Sequence, residues 1–188
     1  MKTIVMKMWL VVAAALTVTL TSCSDDDDNN NNTSGSDKVI YSAEIEVSDD
    51  VLSLATVNLQ EYDNSGLLGA ATQLTNTKYD WSKPITSYPA KVGLALSIEP
   101  KNEELTKEKY NITVVYKVTM KDAEGNIKGA GAGFSKKLSG VKAADVPGVL
   151  EDIKEKLPNV KALIDYTSAS NFTQRSKSEF YYFNRLKR

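Results

Sequence analysis

The chain has 188 residues, a single cysteine, no histidine, and 23 basic against 24 acidic side chains. Without histidine there is no imidazole base, no Ser-His-Asp or Cys-His arrangement and no His/Cys zinc site. A lone cysteine closes no disulfide within the chain, and a balanced charge offers no broad basic field to nucleic acid.

Lys2 and Lys7 flank the start of a segment whose core, Met8 to Leu20, carries no charge. About a dozen apolar residues fall short of the roughly 20 that cross a bilayer as a helix, so residues 1–22 read as an export signal. Leu20-Thr21-Ser22-Cys23 stands where a cleavage site belongs. Residues 23–37 continue through Ser24, Asp25 to Asp28, Asn29 to Asn32 and Thr33-Ser34-Gly35-Ser36. So polar a run buries too little apolar surface to offset its ordering entropy and is expected to be a disordered tether.

Leu20 to Cys23 resembles the lipobox of bacterial lipoproteins, and Ser24 with the four aspartates resembles the export signal of Bacteroidetes-type surface lipoproteins. The resemblance covers residues 1 to 28. It implies lipid on Cys23, an outer-membrane lipoprotein facing outward from the cell, and a membrane partner through that lipid. Two or more acyl chains would be needed for stable anchoring, because each buried methylene contributes about 0.8 kcal/mol.

Residues 38–188, about 150 of them, make one domain's worth of chain. Val39, Tyr41, Ala43, Ile45 and Val47 alternate with Ile40, Ser42, Glu44, Glu46 and Ser48, which predicts a half-buried strand. Leu52 to Tyr62 reads as a second strand whose alternation slips near Ala55-Thr56, as a β-bulge would make it. Asp63-Asn64-Ser65-Gly66 reads as a turn rather than a calcium loop, since the alternating ligands and distal glutamate of an EF-hand are missing.

Lys78 to Pro84 reads as a proline-bounded loop carrying Trp81, the one tryptophan after the export signal. Ala90 to Ile98 and Tyr110 to Met120 alternate as strands, and Asp122 to Asn126 turns the second into a return strand reaching about Leu138. Gly129-Ala130-Gly131-Ala132-Gly133, with no helix opening after it, reads as a tight sheet corner rather than a phosphate loop. Val146, Val149, Leu150, Ile153 and Leu157 share one helical face, with Asp145 as N-cap and Pro158 as stop, predicting a helix near 145–157. Val160, Ala162, Ile164 and Tyr166 return to period two, and Phe180 to Phe183 suggest a last strand. The basic residues Arg175, Lys177, Arg185, Lys187 and Arg188 read as a solvated end and not as a nucleic-acid patch.

The fold class is therefore all-β with one helix: a two-sheet antiparallel sandwich, with the immunoglobulin-like form in view. The alternative is a lipocalin-like up-and-down barrel, which would enclose a pocket for lipid. The residue inventory points away from an enzyme and calls for no cofactor and no metal. A carboxylate pair across a groove is the chemistry left, with Asp80, Asp165 and Glu179 as its members.

A tether-displayed domain of this kind reads as a binding module for glycan capture or nutrient uptake. Tyr79, Asp80, Trp81, Lys83 and Tyr88 are the candidate ligand-binding residues, aromatic faces for sugar C–H groups beside side chains that bond hydroxyls. Trp81 plugging the end of the sandwich is the competing reading. The alternative function is adhesion or assembly, binding a protein partner such as an outer-membrane protein through an edge strand made by Phe180, Tyr181, Tyr182 and Phe183.

Overall fold

Two five-stranded antiparallel sheets face each other across one core. The computed structural model describes residues 38–129 and 132–179. β1 (Val39–Val47) buries every odd position, as its alternation requires. It lies inside the first sheet between β4 (Lys78–Ile85) and β6 (Lys109–Asp122). In an immunoglobulin domain, by contrast, the first strand lies beside the second. On the far side of β6 the return strand comes in two pieces, β7 (Ile127–Gly129) and β8 (Gly133–Lys142). β7 ends at Gly129 and β8 begins at Gly133, with Val118 N–H donating to Ala132 C=O at 2.8 Å, while Ala130 and Gly131, the middle of the expected corner, lie outside the described residues.

The second sheet runs β10 (Phe172–Arg175), β9 (Leu163–Tyr166), β5 (Ala90–Pro100), β2 (Ala55–Glu61) and β3 (Thr72–Gln73). Among the described residues both sheets have edges paired by no other strand, and the two sheets form a sandwich and not a closed barrel. Tyr41, Val114, Val118, Leu94, Leu96 and Ile164 are among the side chains buried between them.

The expected strand at Leu52 to Tyr62 is corrected at its start: Asp49–Leu54 is a short helix, α1, and β2 begins only at Ala55. The slip in alternation is a helix-to-strand switch and not a bulge. Val51 and Leu54, three residues apart, are the buried pair, which is helical spacing. Asp49 and Asp50 sit in the first turn, where the helix dipole favours anions. Tertiary contacts hold the turn in place. Asp50 Oδ2 accepts the N–H of Asn111 at 2.7 Å, Lys107 pairs with Oδ1, and the Ser48 hydroxyl donates to Asn111 C=O at 2.6 Å while accepting the N–H of Thr113.

The late helix, α2 (Val146–Lys156), follows a 3-10 turn over Ala143–Asp145, so the helical conformation begins two residues earlier than its apolar face implies. Asp145 occupies the N-cap position but makes no side-chain capping bond. Val146, Leu150 and Ile153 are buried against β5, and Leu157 continues the stripe into a second 3-10 turn that contains Pro158. Lys154 reaches Glu99 on β5 at 3.0 Å and Lys136 on β8 reaches Asp152 at 3.3 Å, so charges from both sheets flank the helix.

Candidate functional site

The segment around Trp81 is a strand, which corrects the expected loop. Tyr79, Trp81, Lys83 and Ile85 alternate with Lys78, Asp80, Ser82 and Pro84, and only the first set turns inward. Pro84 is tolerated because, among the described strands, β4 is an edge strand with one side unpaired. The consequence for the predicted ligand set is direct. Asp80 lies on the outer face opposite Glu44, away from Trp81, while Tyr88 falls beyond the strand end.

Trp81 closes the open side of the sandwich. Its ring meets Tyr41 edge-on at 5.5 Å, and its indole N–H donates to Glu61 Oε1 on β2, in the opposite sheet, at 2.9 Å. This inter-sheet clamp leaves the ring half-buried. Trp81→Phe, which removes that bond but keeps a ring, should cost no more than about 1 kcal/mol in chemical denaturation. A larger loss would mean that the indole holds more than one hydrogen bond's worth of the edge.

Tyr88 belongs to a different group. The loop after β4 brings it to the end of the sandwich at which β1 begins, where it lines an open cleft of about 580 Å³. The turns after β6 and β9 supply the other walls, with Asp122, Glu124 and Lys128 on one side and Ser168, Ser170 and Phe172 on the other. Lys38 and Val39 complete the rim. Tyr166 lies beneath, fully buried, its ring 6.0 Å from that of Tyr88 and 5.4 Å from that of Phe172. Among the described residues its hydroxyl has no hydrogen-bond partner, a property it shares with Tyr116 in the core.

Each wall is fixed by a polar side chain. Asp122 accepts the backbone N–H of Asn126 at 2.7 Å and its side-chain amide at 3.1 Å, and pairs with Lys128 at 3.2 Å. Desolvation acts to raise the Asp122 pKa, but these donors outweigh it and hold it down at about 2. The stabilising contribution is therefore complete above the ordinary carboxylate value of about 3.9 and is lost as pH falls through about 2. Hydrogen exchange of the 122–128 turn should accelerate across that window, and Asp122→Asn should flatten the pH dependence. On the opposite wall, Ser168 Oγ accepts the N–H of Asn171 at 3.1 Å and lies 3.4 Å from Ser170 Oγ.

No protein-family model, curated protein or solved structure matches this chain.

The carboxylates considered for paired acid chemistry are dispersed. Asp80 lies on the outer face of the first sheet, whereas Asp165 on β9 alternates with the core residues Ile164 and Tyr166 and pairs with Arg175 at 3.4 Å. Glu179 accepts the N–H of Ser176 at 2.8 Å and faces Lys161 at 3.7 Å. Among the described residues no group of three acidic or thiol side chains could hold a metal ion. Asp63 closes the turn it was expected to close, its Oδ1 accepting from Ser65 N, Ser65 Oγ and Leu67 N. Phe180, Tyr181, Tyr182 and Phe183 lie outside the described residues, as do Cys23 and residues 1–37.

Of the five candidate ligand residues, Tyr88 alone lines this cleft, and the sequence analysis did not bring its neighbours there together with it. Phe172, Ser168, Glu124 and Lys38 are far apart in the chain and meet because three turns and the start of β1 share one end of the sandwich. The local signal available was that each sits in or beside a turn, where binding residues concentrate on a rigid scaffold.

Proposed function

We propose that the protein is a lipid-anchored binding module at the outer surface of the cell, serving glycan capture or nutrient uptake. The observation that carries the address is Leu20-Thr21-Ser22-Cys23 followed by Ser24 and four aspartates. The end cleft supports the ligand class. Tyr88 and Phe172 offer ring faces for sugar C–H groups, Ser168 and Ser170 offer hydroxyls, and Lys38 and Glu124 offer one charge of each sign. Among the described residues neither Lys38 nor Glu124 has an ion-pair partner, so both have hydrogen-bonding capacity for a ligand.

Two measurements test the reading. Replacing the anchoring residue, Cys23→Ser, should abolish incorporation of labelled fatty acid, and incorporation that persists would remove the anchor. The protein should bind members of an immobilised glycan panel, with Tyr88→Leu losing the signal while Trp81→Phe keeps it. Silence across the panel would sink saccharide as the ligand class for the glycans tested.

A second reading, adhesion or assembly through an edge strand, is favoured by β4, whose eight residues have one side unpaired by any described strand. It differs from the first in expecting a protein partner or self-association. Cross-linking through β4 positions, such as Ser82→Cys, distinguishes it.

A further inference from the structure

Of the four charged side chains that line the end cleft among the described residues, two already satisfy each other. Asp122 is held by Lys128 and by both nitrogens of Asn126, so this acid and this base are neutralised within the wall. Lys38 and Glu124 remain, both exposed and, among the described residues, in no ion pair. The register of the first sheet links their positions. Val39 faces Asp122, so Lys38, one residue before β1, and Glu124, two residues past β6, leave the same end of two paired strands. The turn that carries Glu124 is closed by Gly125 N–H on Asp122 C=O at 3.1 Å and by Asp122 N–H on Asn126 C=O at 3.0 Å, which fixes its backbone. Among the described residues, then, an unpaired cation and an unpaired anion stand on neighbouring chains at one opening.

Such an opening discriminates by the pattern of charge on a ligand. A ligand with a single charge gains from one of the two side chains and is repelled by the other, whereas one with an amine and an acid side by side gains from both. We infer that the end cleft selects a zwitterionic saccharide, whose amine meets Glu124 and whose acidic substituent meets Lys38 while Tyr88 and Phe172 pack on the sugar ring. The inference rests on the saccharide reading of the cleft and names which saccharides it takes. Both substituents belong on neighbouring carbons of one ring, because the side chains that meet them come from backbones about 5 Å apart where β1 and β6 pair.

Isothermal titration of the full chain in a non-ionic detergent tests this at about pH 6, where sugar amines are protonated and carboxylates ionised. The probes are N-acetylglucosamine with no charge, glucosamine with the amine alone, N-acetylmuramic acid with the carboxylate alone, and muramic acid with both on neighbouring ring carbons. Muramic acid should bind about tenfold more tightly than N-acetylglucosamine, each exposed ion pair supplying up to about fivefold. The singly charged sugars should gain much less, and raising the ionic strength should shrink the difference. Lys38→Gln should shift the preference to glucosamine, and Glu124→Gln should shift it to N-acetylmuramic acid; ratios taken within one variant cancel any general weakening of the cleft. β-Alanine, which carries both charges and no ring, should not bind measurably. Equal affinity for all four sugars leaves the saccharide reading standing and overturns this inference. A preference for muramic acid that persists in both variants would move the selection to other side chains, and β-alanine binding as tightly as muramic acid would remove the sugar from it; either result overturns the inference as well. Silence from all four sugars fails the saccharide reading of the cleft, and this inference with it.

Discussion

Tyr41→Phe is expected to destabilise the domain by about 2–4 kcal/mol, although it removes one oxygen atom and no ring contact. β9 pairs with β5 only from Ala90 to Gly93, and past that point the two chains part. The Tyr41 hydroxyl, reaching across from the first sheet, serves both sides of the split: it donates to Ala162 C=O at 2.8 Å and accepts the N–H of Leu94 at 3.3 Å. Tyr41 is completely buried, and that burial holds its phenol far above its ordinary pKa, so the hydroxyl keeps the proton it donates. The Tyr116 hydroxyl lies near it electrostatically without closing a geometric hydrogen bond, so it is no substitute. Phenylalanine at this position would leave a buried donor and a buried acceptor unpaired, each costing about 1–3 kcal/mol. Urea denaturation of the variant checks the figure. A loss under about 0.5 kcal/mol would mean that Leu94 and Ala162 find each other, or water, once the hydroxyl is gone.

Gly93→Ala should be comparably damaging, by about 2–3 kcal/mol or more, on the other side of the same sheet. A Cβ built there would meet Ala162 O at 2.5 Å, Leu163 Cα at 2.9 Å and Tyr62 Cδ2 at 2.9 Å. Two of the three are backbone atoms of the neighbouring chain and cannot rotate away. The third belongs to Tyr62, which folds over the outer face of the second sheet and forms a small cluster with Ala95, Leu163 and Leu68. Glycine at 93 therefore serves close packing and not an unusual backbone angle. Tyr62→Ala in the Gly93→Ala background separates the contributions: it should relieve only the side-chain part, so the double variant remains less stable than Tyr62→Ala alone. Equal stability of those two would place the whole effect in the tyrosine ring.

These two positions also show why sequence patterning carried the strands and missed the joints between them. Alternation in β1, β5 and β6 is imposed by the sheet itself, because one face must leave water, so the apolar phase is written into neighbouring residues. Tyr41 is legible as a core position by that rule. Nothing within the strand reveals that its hydroxyl completes a pairing between residues 53 and 121 positions away. The 49–54 segment shows the same limit at short range. Ser48 and the two aspartates are a helix-start signal, yet a six-residue helix is held by Asp50 on Asn111 and Ser48 on Asn111 and Thr113, contacts that a local reading cannot weigh.

The candidate ligand residues divide along the same line. Tyr79, Trp81 and Lys83 share a face by strand periodicity, which equally sends Asp80 to the other side; reading the segment as a loop concealed both. Which elements would flank Trp81 depended on β4 joining the edge beside β1, and that placed the indole within reach of Glu61 rather than of solvent alone. Tyr88 became part of a cleft because loops from three separate connections end at one pole of the sandwich.

By itself the sequence determined the strand and helix inventory of most of the domain, since burial periodicity is a local property of the backbone geometry. It also determined that this chain carries no imidazole and closes no disulfide within itself, since those depend on counting residues. Tertiary structure alone decided the strand order, the inter-sheet bonds of Tyr41 and Trp81, and the gathering of Tyr88, Phe172, Glu124 and Lys38 around one opening. Those features arise from contacts between residues far apart in the chain, whose free energy exists only after the sheets have packed.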